Sequence, residues 1–230
     1  MSFRRSVVSW LMRKEVAVTE KEWRRMSYSF SQDAEDLVLE RLLDCSSPGF
    51  YVDVGAYHPV IISNTWLFYQ LRGWRGICIE PNPDMAQILR RRRPHDIVVE
   101  TAVGMEKGWM DYEMFKEPNF NRIANPSSKP SYLDRLQSEK KTSRVRVEPL
   151  ASILAQYLPP ATSVDLLTID CEGYDFQVLQ SNNWHQVRPR AICVESHEKG
   201  EQQEIQKYLQ AYGYELAAKI KSSLIFTLTG

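Results

Sequence analysis

Short, continuous apolar runs take turns with segments of helical periodicity along most of this chain. "FYVDVG" (50–55), "GICIEPN" (76–82), "DIVVETAVG" (96–104), "VDLLTID" (164–170) and "RAICVES" (190–196) are dense in apolar residues and end in polar or small ones. That is the pattern of strands covered on both faces. Between them, "SNTWLFYQLR" (63–72), "PDMAQILRRRR" (83–93), "LASILAQYL" (150–158), "DFQVLQS" (175–181) and "EQQEIQKYLQAY" (201–212) read as helices, the second opened by a proline. "SQDAEDLVLERLL" (31–43) precedes the first strand, with Ser31 placed as a cap and Leu37, Val38 and Leu42 at helical spacing. Strand and helix in alternation predict an α/β fold, a parallel sheet covered by helices on both faces.

Two stretches break the rhythm. Over 105–148, "WMDYEMF" and "SRVRVEP" read as extra strands around a loop rich in Pro, Asn and Ser. A loop of that length inside a domain is characteristically a lid or substrate loop, and 116–143 is expected to serve as one. At the end of the chain, "YELAAKI" and "SLIFTLT", separated by Lys221 and Ser222, predict a closing antiparallel hairpin. Residues 1–30 mix basic and aromatic residues and read as an N-terminal helical arm, so the expected organisation is this arm followed by one domain over 31–230. Two arginines followed by a short apolar run are reminiscent of a signal peptide, but no A-x-A site follows.

Composition narrows the function classes. With 43% hydrophobic and 25% charged residues, the 230-residue chain is ordinary for a globular protein. Lys+Arg and Asp+Glu both number 29, so no net charge steers it toward nucleic acid or an acidic membrane. Cys45, Cys78, Cys171 and Cys193 show no C-x-x-C spacing, which argues against a zinc site or a disulfide framework and fits a cytoplasmic protein. No apolar stretch approaches the ~20 residues of a membrane span. The oligomeric state stays open, a homodimer being one option.

Ligands of an open parallel sheet bind outside the carboxyl ends of its strands. Here those ends are Asp53–Ala56, Glu80–Asn82, Thr101–Gly104, Asp170–Gly173 and Glu195–His197, and four of the five carry acids. Glu80 lies 25 residues past Gly55, about where a βαβ dinucleotide fold places the acid that accepts hydrogen bonds from ribose hydroxyls. The glycine motif is D-x-G-A-x-x-P, without the G-x-G-x-x-G that seats a pyrophosphate, and Tyr57 and Pro59 crowd it. The expected cofactor is therefore a nucleoside lacking a pyrophosphate, S-adenosylmethionine before others. Gln32, Glu35 and Asp36 are candidates for its mouth. The run Arg90–Arg93 ends a helix, where cations complement the dipole, and reads as a solvated helix end.

The segments "SQDAED" (31–36), "YVDVGAYHP" (51–59), "SNT" (63–65), "GWRGICIEPNP" (73–83), "LLTIDCEGYDFQVL" (166–179) and "CVESH" (193–197) together resemble the FkbM family of S-adenosylmethionine-dependent methyltransferases. The resemblance implies a class I methyltransferase Rossmann-like fold, a seven-stranded, mostly parallel sheet with an antiparallel last strand. It implies that Asp53, Gly55 and Ala56 form the first cofactor motif, with Tyr57 beside them. Glu80 would hold the ribose with Asn82 alongside, Thr101, Ala102 and Val103 would line the adenine, and Asp170 would stand next to the methyl-transfer region. The implied activity is O-methylation of a sugar, glycolipid or other small natural-product acceptor. Alternatives are N-methylation of a macromolecule and a non-catalytic methyltransferase-fold binding protein.

Two routes for the acceptor proton are open. In one, His58 or His197 is the general base, with Asp170 beside the reaction. In the other, Asp170, Glu195 and His197 bind Mg²⁺ or Mn²⁺, which lowers the hydroxyl's pKa. Glu172 is either a further ligand or a cap for the following helix. Phe120, Tyr132 and Trp109 are expected to stack on an acceptor ring, and Asn, Ser and Lys of the 116–143 loop to hydrogen-bond it.

Overall fold

The computed structural model describes residues 27–124 and 140–229. Most of the expected N-terminal arm, and Tyr132 of the substrate loop, lie outside these residues. The described chain runs α1 (Glu35–Leu42), β1 (Phe50–Val54), α2 (Trp66–Leu71), β2 (Arg75–Ile79), α3 (Pro83–Arg92), β3 (Ile97–Val99), β4 (Ala102–Val103) and β5 (Gly108–Phe115). A 3₁₀ turn (Pro118–Phe120), β6 (Arg122–Ile123) and β7 (Lys140–Glu148) follow. The remainder is α4 (Leu150–Tyr157), β8 (Leu166–Ile169), α5 (Asp175–Gln180), β9 (Ala191–Glu195), α6 (Lys199–Gln210), β10 (Tyr214–Ile220) and β11 (Ser223–Leu228). Among the described residues no helix is long and apolar enough to cross a membrane. All four cysteines are free thiols.

The main sheet has seven strands in the order β10-β11-β9-β8-β1-β2-β3. β1 pairs in parallel with both β2 and β8, β2 with β3 and β8 with β9. β11 runs antiparallel to β9 on one side and to β10 on the other. The order reverses at β1, whose neighbours β2 and β8 are reached by crossovers in opposite directions. A crevice opens at such a switch point. Alternation along β1 divides the core. Val52 and Val54 join Ile79, Ile169 and Val194 under α4, α5 and α6. Tyr51 faces the opposite layer with Phe68, Trp74, Cys78, Leu89 and, from α1, Leu39. Each such fully buried aliphatic or aromatic side chain contributes about 1.5–3 kcal/mol of transfer free energy.

Two elements differ from the sequence expectation. The buried apolar positions of α1 and its end are Leu39 and the following Leu43, while Leu42 is exposed, because Glu35 and Asp36 turn inward to bond and rotate the helix away from its most apolar stripe. Ser31 is no simple cap either. The helix begins after Ala34, which is left-handed, and the Asp36 carboxylate gathers Ser29 Oγ, Ser31 Oγ and the Phe30 N–H. The run 96–104 is not one strand. It breaks at Glu100–Thr101, leaving β3 in the main sheet and handing β4 to a second, four-stranded sheet of order β4-β7-β5-β6. That second sheet contains both strands expected around the loop, and it has its own small core of Ala102, Tyr112, Ile123, Val145 and Val147.

Candidate active site

A cavity of about 230 Å³ opens over the carboxyl ends of β1, β2, β8 and β9, and the second sheet walls its far side. Val54 and Gly55 form its floor, with Glu80, Thr101, Ala102 and Val103 at one end and Asp170, Glu172, Glu195 and His197 at the other. Tyr57, Tyr112, Asn119 and Phe120 rise around it, and Gln32 reaches it from the segment before α1.

The first end is built on Glu80. Its Oε2 accepts the Tyr57 N–H at 2.8 Å and its Oε1 the Asn82 N–H at 2.8 Å, so the carboxyl is fixed in place by backbone. Burial pushes its pKa up to about 7, against the lowering effect of those two N–H groups. Asn82 caps α3, its Oδ1 accepting the Asp84 and Met85 N–H groups, and acts on the cavity only through Glu80. Thr101 turns its hydroxyl onto the Arg146 carbonyl at 2.9 Å, pinning the break between β3 and β4. Gly55 is required by the protein itself. Its φ is +78°, and a Cβ there would stand 1.8 Å from the Asp170 carbonyl oxygen.

Asp53 and Ala56 do not line the cavity. Asp53 lies on the opposite face of β1, where its carboxylate accepts the Thr65 hydroxyl and stands 3.9 Å from Arg93 Nη1. Burial raises its pKa, partly offset by Arg93 and Thr65. Ala56 packs with the layer of Tyr51 and Phe68. A strand places successive side chains on opposite faces, so Asp53 and the cavity-facing Val54 could not both serve one site.

Carboxyl groups dominate the second end. Glu195 Oε2 is 3.4 Å from His197 Nε2, and its Oε1 accepts the Ser222 hydroxyl at 2.9 Å. Burial alone would raise Glu195, but hydrogen bonds from His197, Ser222 and Asp170 outweigh it and keep the group ionised. His197, bonded to Glu195, is pushed up to about 9 and carries a proton at neutral pH. Asp170, half-buried beside these acids, is raised well above the carboxylate range by desolvation and by Glu195, with which it shares a hydrogen bond. Glu172 is not the helix cap. Asp175 holds the Cys171 and Gly173 N–H groups, while Glu172 sits left-handed at φ +51° with its carboxyl on the cavity. One donor atom each of Glu172, Glu195 and His197 come within 4.8 Å of one another, a trio in which Glu172 takes the place expected of Asp170.

His58 does not face the cavity. Its Nδ1 accepts the Val60 and Ile61 N–H groups at 3.1 and 3.0 Å, and burial lowers its pKa. Trp109 points to solvent at 61% exposure, whereas Phe120 lines the cavity. Tyr112 was not anticipated as a wall residue, although its alternation with Met110 and Met114 along β5 marks one face. Arg93 departs furthest from expectation. It is fully buried beside Asp53 and Asp96, unlike the solvated Arg90–Arg92 before it. Its signal was its position after the last helical turn, where a side chain can fold back beneath the sheet.

The methyltransferase FkbM domain model matches residues 53–216. Among solved structures, the crystal structure of methyltransferase FkbM from Methylobacillus flagellatus KT matches with a TM-score of 0.53 at 16% identity, covering 82% of this chain and 45% of that one. The chain thus spans less than half the length of that relative, and the likeness is one of fold. Precorrin-6y C5,15-methyltransferase from Geobacter metallireducens GS-15 gives a TM-score of 0.47 at 11% identity over 89% of this chain and 93% of that one. No curated protein matches significantly.

Proposed function

Since the chain belongs to the FkbM methyltransferase family, we propose that it uses S-adenosylmethionine to methylate a hydroxyl of a small or carbohydrate-like acceptor. The stretch 31–230 is read as the methyltransferase domain, with a class I arrangement. The observation that carries the cofactor reading is Glu80. A buried carboxyl held by two backbone N–H groups at one end of a cavity is oriented to take hydrogen bonds from paired hydroxyls. The residues around it suit a nucleoside: Thr101, Ala102 and Val103 line that end of the cavity, and the turn after β1 carries the single Gly55 instead of the glycine run that seats phosphates.

The cofactor supplies an electrophilic methyl group; the protein's own residues do the rest. Gly55 and Tyr57 bind at the floor and rim, and Glu80 orients. At the far end, Glu195 is the ionised acceptor that hydrogen-bonds the incoming hydroxyl and takes up its proton as the new bond forms. His197, cationic, holds Glu195 charged and in place. Asp170, whose proton is favoured by burial and by Glu195, hydrogen-bonds Glu195 from below and so limits the negative charge beside the reacting oxygen. His58 supports the loop. Phe120 and Asn119 cover the acceptor and exclude water. Mg²⁺ or Mn²⁺, where bound, would use Glu172, Glu195 and His197 and would first have to displace the His197 proton.

Calorimetric titration with S-adenosylhomocysteine, with and without each metal, tests the reading. Saturable binding by the wild type is expected. Glu80→Ala should weaken it roughly ten- to hundredfold, as the loss of hydrogen bonds to a charged group does. A wild-type protein that binds nothing in any condition would sink the proposal in favour of a binding protein on a methyltransferase fold.

A further inference from the structure

We propose that Arg93 is the positioning residue of the cofactor loop, the buried clamp that holds residues 57–65 in the shape the cavity needs. The inference rests on the cofactor reading above. The guanidinium comes from the end of α3, on the face of the sheet opposite α4, α5 and α6, and is fully buried. Its Nε and Nη2 donate to the Pro59 carbonyl at 3.1 and 2.7 Å. Nη2 also donates to Ser63 Oγ at 2.7 Å, and Nη1 to Thr65 Oγ1 at 2.7 Å. Three points of one loop therefore hang on a single planar fork, a geometry that a lysine ammonium cannot reproduce. Asp53 and Asp96, 3.9 and 3.8 Å from Nη1, balance the charge, and the Trp66 and Tyr69 rings flank it at 5.5 and 5.8 Å.

The loop so held is both strained and functional. Tyr57 and Ile62 adopt left-handed backbone, with φ of 44° and 54°. Such residues persist only where surrounding contacts over-determine them. At its near end, Tyr57 lines the cavity and donates its N–H to Glu80. At its far end, the Ser63 N–H donates to the Phe30 carbonyl at 2.9 Å, two residues before Gln32. Arg93 thus fixes one wall of the cavity directly and a second through Ser63, without touching the ligand space itself. Simple core filling would be met by any apolar side chain and would not need four hydrogen bonds to three acceptors on one loop.

Arg93→Lys keeps the charge and removes the fork. The expected result is a folded protein whose affinity for S-adenosylhomocysteine falls roughly ten- to hundredfold, the penalty of a wall displaced by about an ångström. Amide hydrogen exchange should accelerate over 57–65 while β9 (191–195) stays protected. Ser63→Ala, which removes one of the three attachment points, should weaken binding by about fivefold, as for one lost hydrogen bond, and should stand in if Arg93→Lys fails to fold. A folded Arg93→Lys with wild-type exchange over 57–65 and affinity within about twofold of the wild type would overturn the proposal, as would unchanged loop exchange in Ser63→Ala. Should the wild type bind no S-adenosylhomocysteine, the cofactor reading fails, while loop exchange in the two variants still decides whether Arg93 positions the loop.

Discussion

Glu80 is where single-residue chemistry reaches the proposed function most directly. Its carboxyl titrates near 7 because burial penalises the charge more than two N–H groups relieve it. A hydroxyl pair donates best to the ionised form. Affinity for S-adenosylhomocysteine should therefore rise with pH up to about 7 and level off above it, with a proton released on binding below about pH 7 and none well above it. Calorimetry in two buffers of different ionisation enthalpy would count that proton, and pH-independent binding with no exchange would contradict it. Glu80→Gln should flatten the profile while keeping one acceptor oxygen. Glu80, Asp170 and Glu195 were legible in the sequence because each follows an apolar run at a strand's carboxyl end. Asp53 was legible as special but not in its role, since only the register of β1 tells which face it occupies. Arg93 was hidden among four consecutive arginines, where burial depends on a fold-back that periodicity does not record.

At the scale of an element, the turn after β1 makes the sharpest claim. Gly55 needs a left-handed backbone, and the atom its Cβ would strike is a carbonyl oxygen of the neighbouring strand end, which cannot rotate away. Gly55→Ala should cost about 2–6 kcal/mol from backbone strain and overpacking together, read as a lowered urea midpoint. Gly200, in the first turn of α6, meets nothing within 4 Å. Gly200→Ala should stabilise the protein by about 0.5–1 kcal/mol through helix propensity and a less free unfolded chain. The elements themselves were read well where pattern and packing agree: the parallel strands, the terminal hairpin and the two extra strands all form. The run 96–104 was misread as one strand because the break at Glu100–Thr101 carries no glycine or proline. It is imposed by Thr101 bonding across to Arg146, a contact 45 residues away.

For the molecule as a whole, buried acids set the response to pH. Glu80, Glu172 and Asp175 all titrate near 7, each raised chiefly by burial, and His197 is raised to about 9. In every case the folded pKa lies above the ordinary value, so the folded state holds more protons than the unfolded one. The stabilisation is full at low pH within this window and is lost as pH rises through 7 and on toward 9. Glu80 alone accounts for up to roughly 3 kcal/mol of that loss. The thermal midpoint of the ligand-free protein should fall steadily from pH 6 to 8.5. A flat or rising midpoint would mean that these acids are ionised and better solvated than their burial implies.

Among the described residues, the chain passes between the second sheet and the main one through Thr101 at its start and through Glu148 and Pro149 at its end, and the second sheet carries its own small core. The protein is in that sense modular. We infer that β5, the 3₁₀ turn and β6 form the part of this sheet that a laboratory or a lineage can exchange to admit a new acceptor, because the cradle around Glu80 is tied to the sheet through β4 and β7 instead.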